Sequence, residues 1–177
     1  MTRSEMCAVV IAALSVAGCS GGSNHASSTS TSPSTSGTTT TSTQPTVTSL
    51  NEAAHAALAA NHKVSVFVLW HNRVPSWASR STAGPALRSL RSAAATRRAR
   101  GVRARLLSDR RRVVSLQLDP SYTRATAVVV DRQRVQPSAR NGRPLGRTVV
   151  LNERATYELR RTGSSVHFVV WRVELQR

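Results

Sequence analysis

Val113-Val114-Ser115-Leu116-Gln117-Leu118, running into Asp119-Pro120-Ser121, decides how this chain is read. Val114, Leu116 and Leu118 alternate with Val113, Ser115 and Gln117, and a period of two predicts a half-buried strand. Asp119-Pro120-Ser121 carries turn chemistry. Tyr122 to Val135 then reads as a second strand centred on Val128-Val129-Val130, and Pro137 to Gly146, with Asn141-Gly142, as a longer loop. Thr148 to Arg160 is expected as a third strand, with Val149, Leu151, Ala155, Tyr157 and Leu159 alternating roughly inward. Thr162-Gly163-Ser164 is a tight turn before a last strand from Val166 to Leu175. Connections this short imply an antiparallel meander, because parallel strands need long crossovers.

Upstream of Gly101 the period is helical. Ser49-Leu50-Asn51-Glu52 reads as a capping box, in which the Ser hydroxyl accepts from a helical N–H and Glu52 reaches back. The Ala-rich run behind it is a good helix former, with Leu50, Ala54, Ala57 and Leu58 on one face and Val68 and Leu69 as possible additions to it. Val64 to Trp70 is β-branched enough to suit a strand, and the balance falls slightly towards helix. Pro85 suits the first position of a second helix with Thr82 or Gly84 near its cap. Leu87, Leu90 and Ala94 form its apolar stripe, and Gly101 is placed to end it in the left-handed conformation. Helices first and a meander second predict an α+β domain, with N-terminal helices packed on a four-stranded antiparallel sheet.

The N-terminal part has a different character. Arg3 precedes a short apolar run, Cys7 to Gly18, which is too short for a membrane span of about 20 residues. Residues 1–18 read as a secretory signal. Val16-Ala17-Gly18-Cys19 at its end resembles a bacterial lipobox, and that resemblance implies lipid on Cys19 as the mature N-terminus. Residues 19–48 are mostly Ser, Thr, Gly and Pro with almost no apolar side chains, a composition that cannot repay the entropy of ordering. As random coil such a spacer reaches roughly 30 Å. The expected domain is 49–177. It has no cysteine, hence neither a disulfide nor a thiolate metal site. The expected address is the extracytoplasmic face of the cell membrane, with the membrane reached through Cys19.

The formal charge is +17, Lys63 is the only lysine, and the other 24 basic residues are Arg. The scarcity of lysine suits GC-rich coding, but the scarcity of acids does not follow from it. Such a charge favours anionic partners. Arg88, Arg91 and Arg98 on the second helix and Arg110, Arg111 and Arg112 at the strand entrance are the candidate contacts for anionic lipid or wall polymer. Nucleic acid is not expected. There is no helix-turn-helix spacing or zinc ligand set, and aromatics are 4% of residues, too few for a base-stacking platform.

The Gly84-Pro85-Ala86-Leu87 helix, the Asp119-Pro120-Ser121-Tyr122 hairpin and the closing Tyr157-Glu158-Leu159-Arg160-Arg161-Thr162-Gly163 hairpin resemble the nuclear-transport-factor-2-like (SnoaL-like) cone fold over about Ser49 to Arg177. The whole chain also looks like small lipoproteins of actinobacteria. The first resemblance implies a cone-like domain, often enclosing a pocket in which some members use a His–Asp pair. The residues available for such chemistry are His71, Asp119, Tyr122, Glu153, Tyr157 and His167. Glu153 shares a strand face with Leu151 and Tyr157, and the simplest reading is an ion pair with an inward Arg such as Arg172 or Arg132. No Gly-x-Ser-x-Gly, phosphate loop or dinucleotide fingerprint is present, so neither a catalytic residue nor a cofactor is assigned. His55 and His62, seven apart on one helix, lack the third ligand that would make a metal site, and none is assigned. Trp70, Trp77 and Trp171 read as core anchors, with a ligand-stacking pocket wall as the alternative. The expected role is a non-catalytic binding or accessory module of the cell envelope, and the competing one is a pocket enzyme.

Overall fold

The computed structural model describes residues 45–163 and 166–176. The signal reading of residues 1–18, Cys19 and most of the spacer lie outside the described residues. Helix α1 spans Val47–His71, a 3₁₀ turn spans Ser76–Arg80, and α2 spans Gly84–Ala99. Four strands follow: β1 Val102–Leu118, β2 Arg124–Ala139, β3 Val149–Arg161 and β4 Phe168–Gln176. They pair antiparallel in the order β1-β2-β3-β4. This is the α+β arrangement expected, two helices ahead of a four-stranded meander. No helix among the described residues is long and apolar enough to cross a membrane.

Helix α1 starts earlier than its capping box suggests. Thr46 is the N-cap: its hydroxyl oxygen accepts from the Ser49 N–H at 3.2 Å, and the Ser49 hydroxyl donates back to the Thr46 carbonyl at 2.8 Å. The β-branched stretch stays helical because Val64 and Val68, one turn apart, are both fully buried against Ala78, Leu90 and Ala94. Tertiary burial outweighs a propensity difference of a few tenths of a kcal/mol per residue. Asn72 ends the helix at φ 53°, its N–H returning to the Val68 carbonyl. Helix α2 begins after Ala83, not Thr82 or Gly84, with Pro85 in its first turn, and Gly101 follows its end at φ +66° as expected.

The main core lies between α1 and the sheet. Leu50, Ala54, Ala57 and Leu58 meet Ala125, Ala127, Val129, Leu159, Phe168 and Val170. Helix α1 packs most closely on β1 and β4, the two edge strands. A flat sheet would present its central strands to a helix, so contact with both edges means that the sheet curls around α1, giving the cone-like shape. The free edge of β4 is covered by the segment before α2: the Val170 N–H donates to the Ser81 carbonyl at 2.8 Å and the Ala83 N–H to the Val170 carbonyl at 2.9 Å. That contact protects the β4 edge at Val170.

Strand β1 does not keep one alternation. Its register against β2 shifts between Leu106 and Ser108 and again between Val113 and Ser115. Each shift is a bulge that switches which parity faces inward. Ala104 and Leu106 face the core, then Asp109, Arg111 and Val113, then Leu116 and Leu118. Val114 is the extra residue of the second bulge and stands 44% exposed, so the inward set is Val113, Leu116 and Leu118.

Candidate functional site

The first bulge aims two charged side chains beneath α1, which meets them with His62, one turn beyond the buried Leu58. Asp109 Oδ2 lies 2.5 Å from His62 Nε2, and Arg111 Nη1 lies 2.9 Å from His62 Nδ1. A guanidinium only donates, so Nδ1 accepts and Nε2 carries the proton towards Asp109. Burial, with Arg111 next in weight, pulls the His62 pKa down from 6.5 against the opposing pull of Asp109, favouring the neutral ring. Both ring nitrogens are engaged within the protein.

Behind this pair lies Asp131, on β2 and buried. Its carboxyl is pushed up to about 7, first by burial and then by its hydrogen bond with Asp109. Gln133 Nε2 donates to Asp131 Oδ2 at 2.7 Å. The Oδ1 atoms of Asp109 and Asp131 have no hydrogen-bond donor among the described residues, and a protonated Asp131 supplies one where the two carboxyls meet. Burial also raises Glu153, opposite Asp131 on β3, and Tyr157, whose ring carries the Arg111 guanidinium 5.1 Å from its centroid. Besides Arg111 and Asp109, four ionisable groups thus crowd one end of the cone, each shifted against its charged form by burial.

His62 also opens to the surface. It lines a cleft of about 580 Å³ with Val66, Phe67, Trp70, Trp77 and Leu106, flanked by Lys63, His71 and Arg105. Phe67 stacks on His71 with ring centroids 4.1 Å apart and meets Trp77 edge-on at 6.2 Å. The Arg103 guanidinium sits over Trp70. A second hollow of about 460 Å³ continues along α1 over Ala53, Ala56, Ala57 and Ala60 and shares Lys63 and Trp77 with the first.

The residues singled out in the sequence are dispersed. Asp119 holds the β1–β2 turn, accepting from the backbone N–H groups of Thr123 and Arg124 at 2.8 Å each, and Tyr122 belongs to the same turn. His167 donates to the Arg80 carbonyl at 2.6 Å, and His71 is exposed at the end of α1. Of the six acid–base candidates only Glu153 and Tyr157 face the interior cluster. Arg172 pairs with Glu174 rather than Glu153, at 3.4 Å, and Arg132 is exposed on the opposite face. His55 is exposed, apart from His62. None of the three tryptophans is a buried core anchor: Trp77 is 39% exposed, while Trp70 and Trp171 are half-buried. Asp131 was legible, since it continues the alternation of Ala125, Ala127 and Val129. Asp109 and Arg111 were not, because their facing depends on the bulge.

Among the arginines, Arg88, Arg91 and Arg98 are exposed on one side of α2. Arg110 and Arg112 are exposed on the outer face of the sheet, whereas Arg111 turns inward to His62 and Tyr157. The run Arg110-Arg111-Arg112 therefore cannot act as one patch. Arg97 is buried at the end of α1, its Nε donating to Asn72 Oδ1 at 3.3 Å and its Nη2 to the Val68 carbonyl at 3.4 Å.

No family model matches the chain, and no curated protein matches it. Among solved structures it is similar to the intermembrane space region of the chloroplast protein ARC6. That likeness has a TM-score of 0.57 at 16% sequence identity, over 70% of this chain and 94% of that one. At this identity the likeness is one of fold.

Proposed function

We propose that this chain is a lipoprotein tethered through Cys19 to the extracytoplasmic face of the cell membrane, with a domain that binds a ligand without catalysis as an accessory module of the envelope. The cleft beside α1 carries the binding reading. Its volume lies in the range of small-ligand sites, and Phe67, Trp70, Trp77 and Leu106 give it an apolar wall with Lys63 and Arg105 at the rim. That lining suits an amphiphile with an apolar body and an anionic group. His62 has no free ring nitrogen to offer such a ligand, which favours binding over acid–base work. The curl of the sheet around α1 supports placing the domain with the nuclear-transport-factor-2-like cone folds. The tether rests on Val16-Ala17-Gly18-Cys19 after a short apolar run.

Two measurements test this reading. Intact-mass analysis of the native protein from membranes should show acylated Cys19, and unmodified Cys19 on membrane-free protein overturns the tether. Anilinonaphthalene sulfonate, an apolar anion, should brighten on the full chain and be displaced by a long-chain fatty acid. Trp77→Ala should weaken both effects, and an unchanged response overturns the cleft as the site.

One observation favours a pocket enzyme instead. His62, which lines the cleft, bonds Asp109 in front of Asp131, whose carboxyl burial pushes up to about 7, a range suited to proton transfer at neutral pH. Incubating the protein with a captured ligand and recovering that ligand separates the readings: an unaltered mass supports binding, and an altered mass that Asp131→Asn abolishes supports catalysis.

A further inference from the structure

Both described helices pack on one face of the sheet, and no element among the described residues covers the other. It exposes Arg110 and Arg112 from β1, Arg132 and Arg134 from β2, and Arg154 from β3. The register sets them side by side. Arg110 stands directly opposite Arg132, while Arg112 and Arg154 flank Val130 from either side. Like charges opposite one another destabilise a sheet, so this arrangement lacks a structural motive. None of the five makes an ion pair among the described residues. Asp109, Asp131 and Glu153 face inward and Asp119 is in a turn, while Glu158 and Glu174 share the open face towards β4 and pair there with Arg160 and Arg172.

A second observation narrows the partner. Around these arginines the same face exposes Leu107, Val114 and Val150, at 47%, 44% and 46%. The first two are exposed because of the bulges in β1, and Val150 sits opposite Arg134. A soluble polyanion would neutralise the arginines and leave these side chains in water. An anionic bilayer takes both, with guanidinium groups on lipid phosphates and apolar side chains at the headgroup boundary.

We infer that the open face of the sheet is a docking surface for an anionic lipid bilayer. For its setting this rests on the tether at Cys19, and it moves the anionic contact away from α2. Arg88, Arg91 and Arg98 lie on the covered side of the sheet, so a flat membrane cannot meet both groups at once.

The full chain carrying Cys19→Ser, which removes the acyl anchor, is floated with vesicles of phosphatidylglycerol mixed with phosphatidylcholine, and with phosphatidylcholine alone, across a salt series. Binding to the anionic vesicles only, falling as salt rises, is expected. Arg110→Gln, Arg132→Gln and Arg154→Gln together should weaken it by roughly tenfold or more, since each basic residue near an anionic surface contributes on the order of fivefold. Their unfolding midpoint should hold or rise, because like-charge contacts are removed. Arg88→Gln, Arg91→Gln and Arg98→Gln together should leave binding unchanged. Val150→Ser should weaken binding to vesicles but not to soluble polyphosphate. Undiminished binding by the sheet variant, equal binding to neutral vesicles, or indifference of vesicle binding to Val150→Ser overturns the inference, the last in favour of an anionic polymer. Loss of membrane association by Cys19→Ser in cells, with vesicle binding retained, separates the anchor from the surface.

Discussion

Asp109 on β1 and Asp131 on β2 hold their carboxyl groups against one another beneath α1, with His62 on the far side of Asp109. Two carboxylates in contact in a poorly solvated place cannot both ionise cheaply, so the pair keeps a proton that free carboxyls would lose.

Stability should therefore depend on pH through these groups. The folded-state pKa of Asp131 is raised from 3.8 to about 7, and Glu153 is raised as well. The Asp131 contribution is full below the unfolded value and is lost as pH rises towards about 7, and the Glu153 contribution is lost as pH rises through its own raised value. His62 is lowered from 6.5, so it acts in the opposite sense, with stability lost as pH falls through its folded value. Asp131→Asn keeps an N–H donor towards Asp109 and never ionises. It should stabilise the protein by about 1–3 kcal/mol at pH 8 and by little near pH 4, read from urea unfolding at both. An equal gain at both would show that the pair does not hold a proton.

Gly84 lies flat on the indole of Trp171. At φ +52° a Cβ there would stand 2.7 Å from the Trp171 ring carbons Cδ2 and Cε3, while Arg160 covers the ring with its guanidinium 4.1 Å from the centroid. Gly84→Ala should cost about 2–4 kcal/mol through left-handed strain and overpacking. Trp171→Ala should recover the steric part only, and thermal unfolding of the two single variants and the double variant measures that coupling.

Arg97 brings a buried positive charge to the carbonyl end of α1, where the helix dipole is negative. Arg97→Met should lower stability by about 1–3 kcal/mol, chiefly by leaving Asn72 Oδ1 and the Val68 carbonyl short of a donor. Amide exchange should rise first in the last turn of α1. Uniform protection loss instead would assign Arg97 to general packing.

The start of α1 gives a sharp comparison between truncations. A chain beginning at Pro45 keeps the Thr46 cap and should unfold at the midpoint of the full chain. One beginning at Ser49 loses the cap and should be weaker by about 1 kcal/mol. A large loss at Pro45 would show that residues before it pack on the domain.

Much of the fold was legible in short windows. The Ala-rich period of α1, Pro85 and Gly101 around α2, and the turn chemistry at Asp119-Pro120-Ser121 each depend on neighbours a few residues away. Val114 marks the limit. Val113-Val114-Ser115 alternates the same way on paper whichever residue faces in, and only pairing with Val128 and Val129 inserts the bulge that pushes Val114 out. The tryptophans show the same limit: apolar area favours burial, yet the curled sheet and α1 fill the core with Leu, Val, Ala and Phe168, leaving Trp77 on the cleft.

By itself the sequence determined the kinds of element, their order and the meander, because helix and strand periods and turn residues are local properties of the chain. Only the tertiary structure decided that His62, Asp109, Arg111, Asp131 and Glu153 meet, and that Arg110 and Arg112 part company with Arg111. Those outcomes depend on two register shifts and on the curl of the sheet. Both are set by contacts between strands and helices distant in sequence, where side-chain volume and hydrogen-bond pairing, rather than local period, choose the facing of each residue.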